Sequence, residues 1–164
     1  MVPFDGTIVI VDDSPDDVAL LQRTFRQVGI TNPVKVCDGG RVALDYLLDS
    51  ADEPPSLILL DLKMPGVDGF HVLSKVKNHP TLRDVVVIVL TTSLDQMDIQ
   101  LAYELGANSF LTKPFDLAEF REMVNAFYKY WIIQNQPPPK RGRWVKRPDG
   151  TRELELSEQT PNAS

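Results

Sequence analysis

The fold of this chain is decided by the stretch Thr7-Ile8-Val9-Ile10-Val11-Asp12-Asp13-Ser14-Pro15-Asp16-Asp17. Its first five residues are β-branched, and they predict a buried strand. Ser14 is a typical helix N-cap, and a proline in the first turn followed by two acids favours the start of a helix. The stretch therefore predicts a strand that passes directly into a helix, which ends at Gly29.

The same alternation of an apolar run and a helical pattern occurs five times along the chain. The runs are rich in Val, Ile and Leu and apolar on both faces, as expected for parallel strands covered by helices on both sides. They predict strands at about 7–11, 33–37, 57–60, 85–90 and 109–112. Helical patterns follow each run, at about 14–29, 40–50, from 69 onward, 95–105 and 116–133. This alternation predicts an α/β fold, a doubly wound parallel sheet with right-handed crossovers and helices on both faces.

Polar side chains stand where four of the five predicted strands end. Asp12 and Asp13 follow the first strand, Asp61 the third, Thr91 the fourth and Lys113 the fifth. Because the carboxyl ends of parallel strands share one edge of a sheet, and ligands bind there, we expect these side chains to meet in one crevice. Three carboxylates, a hydroxyl and an ammonium suit a divalent metal and a phosphoryl group.

Each of these residues also has a plain structural reading. Asp12 and Asp13 are ordinary acids before a helix, Asp61 is an ordinary turn former, and a lone Lys113 is most often a solvated surface lysine. Because all of these residues stand at the ends of predicted strands, we favour a functional site over these separate structural explanations. Asp61 is then the candidate nucleophile, since a carboxylate can accept a phosphoryl group to give an acyl phosphate.

Composition limits the classes of function. The chain has 164 residues, 43% of them hydrophobic, and a formal net charge of -6, which argues against nucleic acid as the main partner. Its one cysteine, Cys37, cannot form an internal disulfide, and we expect a buried thiol on the second strand. No run reaches membrane-spanning length and no signal-peptide pattern is present, so we expect a cytoplasmic protein without a membrane partner.

The motifs resemble those of the receiver domain of two-component response regulators. The resemblance extends over about residues 1–133. It rests on four stretches: Ile8 to Ser14, Leu59 to Gly69, Val89 to Ser93, and Gly106 to Phe115. It implies a flavodoxin-like fold with strand order 2-1-3-4-5. It further implies that Asp61 accepts a phosphoryl group from a phosphohistidine on a sensor histidine kinase, with Mg²⁺ as cofactor.

The resemblance also assigns roles around Asp61. Asp12, Asp13, Asp61 and the backbone carbonyl of Lys63 correspond to the metal ligands, and Thr91 and Lys113 to the phosphate-sensing pair. Thr91 and Phe110 correspond to the switch: Thr91 moves toward the phosphoryl group and Phe110 turns inward, which repacks the face of helix 4, strand 5 and helix 5. From the residues alone, Phe110 is equally well a static core aromatic. In the family, the positions of Lys63 and Ser93 tune hydrolysis of the acyl phosphate.

The predicted fifth helix holds a cluster of aromatic residues. By their spacing, Phe120, Phe127 and Trp131 face the sheet, whereas Tyr128 and Tyr130 point elsewhere. Exposed aromatic side chains are either ordinary surface residues or part of an interface. We expect a homodimer through the face of helix 4, strand 5 and helix 5. The pair Tyr130-Trp131 and the short insertion 49–55 resemble free-standing regulators paired with bacterial phytochromes, so the cognate kinase is expected among bacteriophytochromes.

The consecutive prolines 137–139 end the predicted receiver domain, so the chain divides into a domain at 1–133 and a tail at 134–164. The tail carries six basic and four acidic residues, whereas the remainder carries 11 basic and 19 acidic ones. The basic run of the tail is either a solvated linker, which is the commoner case, or part of a short hairpin over 143–156 against this body or a partner, which turn-forming residues at 148–150 allow. The tail is too short for a helix-turn-helix domain, so output passes through another, unknown protein.

Three other classes of function compete with a phosphoacceptor. A phosphatase of the haloacid dehalogenase type also uses a strand-end aspartate and Mg²⁺, but needs a second aspartate where this chain has Lys63. A flavin carrier needs a hydroxyl- and glycine-rich loop after strand one, where the acids at 12–17 would repel phosphate. An unphosphorylated scaffold remains the third alternative.

Overall fold

A five-stranded parallel sheet organises the protein, for which a computed structural model describes residues 4–50, 53–138 and 143–155. The order of its strands is β2-β1-β3-β4-β5, which confirms the expected flavodoxin-like topology. The strands span Ile8–Val11 (β1), Val34–Cys37 (β2), Leu57–Leu60 (β3), Val86–Thr91 (β4) and Ser109–Thr112 (β5). Since β1 and β3 lie at the centre, the segments that follow them emerge side by side.

Five α-helices connect and cover the strands. They span Pro15–Val28 (α1), Gly40–Asp45 (α2), Gly69–Lys77 (α3), Gln96–Glu104 (α4) and Leu117–Phe127 (α5). Four begin at a residue whose side-chain oxygen accepts from a backbone N–H of the first turn: Ser14, Asp68, Asp95 and Asp116. These caps fix where the loops after the strands end, and those loops carry the polar residues of the sheet edge.

Two hydrophobic clusters lie on opposite faces of the sheet. Along β1, Ile8 and Ile10 join the cluster of α1 and α5, whereas Val9 and Val11 join that of α2, α3 and α4. Phe25 and Phe127 stack with their ring centroids 6.0 Å apart and join α1 to α5. Each central strand thus buries both of its faces, which explains its almost continuous hydrophobic sequence.

Two helices continue as π-helical segments, which the sequence pattern did not indicate. The segment Tyr46–Ser50 follows α2, and Tyr128–Gln134 follows α5. Tyr128 lies four residues after the buried Val124, which places both side chains on the same face of the helix. Phe120 and Phe127 are buried as predicted and Trp131 is half-buried, but Tyr128 packs against the same cluster, contrary to the expectation.

A two-stranded antiparallel hairpin follows in the tail, with strands at Arg143–Lys146 (β6) and Arg152–Glu155 (β7). Asp149 accepts hydrogen bonds from the backbone N–H and the hydroxyl of Thr151, and Gly150 adopts a positive φ of 86° in the turn. Arg147 forms an ion pair with Glu153 across it. Residue 156, the end of the expected hairpin, lies outside the described residues. Among the helices of the described residues, none is long and apolar enough to cross a membrane.

The buried thiol of Cys37 gives a prediction about stability at alkaline pH. Burial raises the pKa of Cys37 from about 9 to about 11. The unfolded chain therefore ionises this thiol before the folded protein does, so a stabilising contribution that is complete below pH 9 disappears as the pH rises through 11. We expect this to lower the free energy of unfolding by roughly 2–3 kcal/mol. Urea denaturation across this range should show a shallower decline for Cys37→Ala, and parallel profiles would contradict the assignment.

Candidate functional site

Three carboxylates meet at the carboxyl edge of the central strands. Val11 of β1 pairs with Leu60 of β3, so the residues that follow these strands emerge together, and the backbone N–H of Asp61 donates to the carbonyl of Val11 at 2.9 Å. Asp12 and Asp61 are buried and Asp13 is half-buried. One carboxylate oxygen from each of Asp12, Asp13 and Asp61 lies within 4.8 Å of the others. The structure thus brings together the three acids that the sequence singled out.

The ammonium of Lys113 lies among these acids. Its Nζ is 2.7 Å from Oδ2 of Asp12, 2.9 Å from Oδ2 of Asp17 and 3.6 Å from Oδ2 of Asp61. The side chain of Lys113 is only 8% exposed, so this charge is balanced by protein groups more than by water. The sequence gives no sign of this contact for Asp17, because the helix dipole alone explains an acid in the first turn of α1.

The pKa values of this cluster follow from burial and from charge. Burial raises the pKa of Asp61, the charge of Lys113 opposes that rise, and the neighbouring Asp12 adds to it. Burial alone would lower the pKa of Lys113, but its hydrogen bonds to Asp12 and Asp17 and the charge of Asp61 outweigh burial and raise it. Lys113 is therefore a permanent cation at neutral pH, next to a carboxylate with a raised proton affinity.

Thr91 lies at the end of β4, next to the start of the Lys113 loop. It is fully buried, its carbonyl accepts from the backbone N–H of Lys113 at 2.7 Å, and its hydroxyl acts on Asp61 as a hydrogen-bond partner that lowers the pKa of the carboxyl. The backbone N–H of Ser93 donates to the Thr91 Oγ1 at 3.4 Å. A buried hydroxyl beside the carboxylate and the ammonium can contact an oxyanion attached to Asp61.

The loop after β3 is held by close backbone packing. The backbone N–H of Lys63 donates to Oδ1 of Asp61 at 3.3 Å, and that of Gly69 donates to the carbonyl of Leu62 at 3.1 Å. At Gly69, an added Cβ would lie 2.2 Å from the carbonyl oxygen of Asp61. Only glycine fits against the backbone here, so Gly69 helps to set the position of Asp61.

Lys63 and Ser93 share an acid partner on α4. Lys63 Nζ lies 2.9 Å from Oδ2 of Asp98, and the Ser93 hydroxyl donates to the same oxygen at 2.6 Å. Hydrogen bonds from Ser93 and Lys63 lower the pKa of Asp98, and the hydrogen bond to Asp98 raises the pKa of Lys63. A phosphatase of the haloacid dehalogenase type would need an aspartate at position 63, and this chain has instead a lysine whose proton is held more tightly because of Asp98.

Phe110 lies on β5 beside the site and is half-buried against the cluster of α2, α3 and α4. Large apolar side chains nearby in the chain are strongly exposed, including Leu94, Met97, Phe115 and Leu117, each more than two-thirds accessible. These exposed side chains lie on the loop before α4, in the first turn of α4, on the loop after β5 and at the start of α5.

The donor set fits a hard divalent cation. Asp12, Asp13 and Asp61 offer only oxygen atoms, which Mg²⁺ and Mn²⁺ prefer, and no histidine or cysteine contributes to this group. The cluster holds three acids against one lysine inside it, with Asp17 as a further acid at its margin, so a cation would relieve the remaining repulsion. The fold, the three acids and the position of Lys113 are those that the resemblance to receiver domains implies.

The sequence model of the response regulator receiver domain matches residues 8–125. The chain belongs to this family. It is 36% identical over 134 residues to the probable methanogenesis regulatory protein FilR2 of Methanothrix harundinacea, covering 80% of this chain and 86% of FilR2. It is 34% identical over 129 residues to the response regulator Rcp1 of Synechocystis, covering 76% of this chain and 88% of Rcp1.

Solved structures of two relatives share the receiver fold. The phosphorylated cyanobacterial phytochrome response regulator RcpA aligns with a TM-score of 0.76 and 31% identity, over 82% of this chain and 99% of that chain. The Mn²⁺-bound form of Rcp1 aligns with a TM-score of 0.76 and 33% identity over the same shares. This receiver domain is thus similar to phytochrome response regulators, as the sequence resemblance implied.

Proposed function

We propose that this receiver domain accepts a phosphoryl group on Asp61 from a phosphohistidine of a sensor histidine kinase. The observation that carries the proposal is the cluster in which Asp12, Asp13 and Asp61 lie within 4.8 Å of one another beside the buried Lys113. An oxygen of Asp61 forms the new P–O bond as the P–N bond of the phosphohistidine breaks, and the imidazole keeps the bonding electrons and takes up a proton. Asp61 needs to be ionised for this attack.

Asp12, Asp13, Asp61 and the Lys63 carbonyl are the groups we propose to hold Mg²⁺. When bound, the metal neutralises charge on the transferring phosphoryl oxygens. Lys113 supplies a further positive charge, and the Thr91 hydroxyl a hydrogen bond, to the phosphoryl group once it is attached. The Mn²⁺-bound form of the relative Rcp1 supports this reading of the acidic pocket.

Signalling then proceeds by protein contact at the surface of α4, β5 and α5. As Thr91 shifts toward the phosphoryl group, the half-buried Phe110 turns inward, and the apolar side chains of α4 are repositioned. The exposed Leu94 and Met97 support an interface at this surface, which we propose to be that of a homodimer.

Analytical sedimentation with and without beryllofluoride tests this switch. We expect beryllofluoride to change the association state of the wild type but not that of Thr91→Ala. An unchanged association state in both proteins would contradict the switch.

The identity of the cognate kinase and the boundary between the receiver domain and its extension are also proposals. The likeness to phytochrome response regulators supports a bacteriophytochrome as the cognate kinase. We propose a receiver domain at 1–133 and an extension at 134–164 that carries the β6–β7 hairpin, an unknown downstream protein as target, and a cytoplasmic location. Nucleic acid is not proposed as a partner, because the net charge of the chain is -6.

Intact-mass analysis after incubation with acetyl phosphate and Mg²⁺ tests the phosphoacceptor function. We expect one added phosphoryl group on the wild type, none on Asp61→Asn, and none when EDTA removes the metal. Asp45→Asn is the matched control, because this acid is exposed on α2 and pairs with the exposed Arg41. Undiminished labelling of Asp61→Asn would exclude Asp61 as the acceptor.

A further inference from the structure

Asp98 connects the two segments that flank the phosphoacceptor. Lys63 lies two residues after Asp61, and Ser93 lies two residues after Thr91. The side chains of both contact the same oxygen of Asp98, at 2.9 Å and 2.6 Å. Asp98 lies in the first turn of α4, so one carboxylate joins both segments to that helix.

The backbones of the same two residues contact the site itself. The Lys63 N–H donates to the carboxylate of Asp61 at 3.3 Å, and the Ser93 N–H donates to the Thr91 hydroxyl at 3.4 Å. The hydrogen bonds therefore form a chain from Asp61 through Lys63, Asp98 and Ser93 to Thr91. Any group attached to Asp61 comes close to the backbone of Lys63.

Two anions compete for the Lys63 ammonium: the carboxylate of Asp98 and a phosphoryl group on Asp61. The side chain of Lys63 is 59% exposed and has a flexible four-carbon stem. A phosphoryl group on Asp61 would add roughly two negative charges and three acceptor oxygens beside the Lys63 backbone. In the unphosphorylated protein the ammonium instead pairs with Asp98, whose side chain is 15% exposed and is also held by Ser93.

We propose that Asp98 is a positioning residue that holds the Lys63 ammonium away from the phosphoryl group on Asp61. This inference rests on the proposed phosphorylation of Asp61 and deepens it. Without the Asp98 charge, Lys63 becomes a second cation for the phosphoryl oxygens, next to Lys113. Asp98 therefore weakens the phosphorylated state and links its strength to the placement of α4.

The size of the effect follows from the exposure of the pair. Ion pairs of exposed lysines contribute little, and the corresponding change in binding of a phosphoryl analogue is about two- to fivefold.

Calorimetric titration with beryllofluoride in the presence of Mg²⁺ measures this effect, because beryllofluoride imitates a phosphoryl group. We expect Asp98→Asn to bind it about two- to fivefold more tightly than the wild type. The double variant Lys63→Met/Asp98→Asn should lose that gain, and Asp98→Glu should behave as the wild type. Glu104→Gln, which removes the same charge from the exposed end of α4, should bind with unchanged affinity.

Three results would overturn the proposal. Unchanged or weaker binding by Asp98→Asn would show that Asp98 does not withhold Lys63. A gain that persists in the double variant would show that Lys63 is not the group released. Absence of binding to the wild type, or equal binding to Asp61→Asn, would overturn the inference together with the proposed function, whereas the first two results leave that function intact.

Discussion

Replacing Lys113 by methionine is expected to lower the free energy of unfolding by about 3 kcal/mol at neutral pH in metal-free buffer. The ammonium lies 2.7 Å from Asp12 and 3.6 Å from Asp61, and all three side chains are at most 10% exposed. Its removal leaves buried carboxylates without a cation, which costs far more than the loss of an exposed pair. Urea denaturation monitored by circular dichroism measures the change.

Lys63→Met is the matched control, because Lys63 forms an ion pair of 2.9 Å with Asp98 but is 59% exposed. We expect this variant to lose less than about 1 kcal/mol. Adding Asp12→Asn to Lys113→Met should recover part of the loss, since it removes one of the charges left without a partner. Equal losses in the two lysine variants, or strict additivity in the double variant, would mean that burial of the acids is not what makes Lys113 important.

Substitution of Gly69 by alanine is expected to disturb both stability and phosphoryl acceptance. The new Cβ would lie 2.2 Å from the Asp61 carbonyl oxygen and 2.7 Å from Cα of Leu62, and both are backbone atoms that cannot rotate away. Overpacking of this kind costs about 1–3 kcal/mol. The displacement falls on Asp61 itself, so we expect phosphorylation by acetyl phosphate to slow by roughly tenfold or more, since small misplacements of a reacting group are costly.

Gly39→Ala is the control for this variant, because nothing lies within 4 Å of a Cβ at that position. We expect it to change stability by less than about 1 kcal/mol and to leave the phosphorylation rate unchanged. Denaturation and the time course of intact mass measure the two effects separately. A Gly69→Ala variant that accepts phosphate at the wild-type rate would show that this close approach does not position Asp61.

The sequence predicts the strands β1, β3 and β4 because their burial on both faces leaves a direct signal. The edge strands β2 and β5 are only partly buried, yet all five predicted strands match the observed ones within one residue. The alternation of elements also predicts a parallel sheet, but it does not choose among strand orders. The order 2-1-3-4-5 followed from the resemblance to receiver domains, since which strands become neighbours depends on packing across the whole chain.

The acids of the site were predicted from their positions at the strand ends, whereas Asp17 and Asp98 were not. Both are acids in the first turn of a helix, where the helix dipole alone explains an acid. Their contacts join distant segments, since Asp17 meets Lys113 across 96 residues of sequence. The sequence of one helix carries no sign of such a partner, whereas the packing of Tyr128 follows from the spacing of the helix, since Tyr128 lies four residues after the buried Val124.

The central claim is that Asp61 carries the phosphoryl group, and borohydride reduction after phosphorylation tests it most directly. Borohydride reduces an aspartyl phosphate to homoserine, so peptide mass spectrometry then identifies the acceptor by its residue. We expect homoserine at position 61 only, and only when the protein has been treated with acetyl phosphate and Mg²⁺. Homoserine at Asp12 or Asp13, or its absence from a protein that gained a phosphoryl mass, would contradict the account.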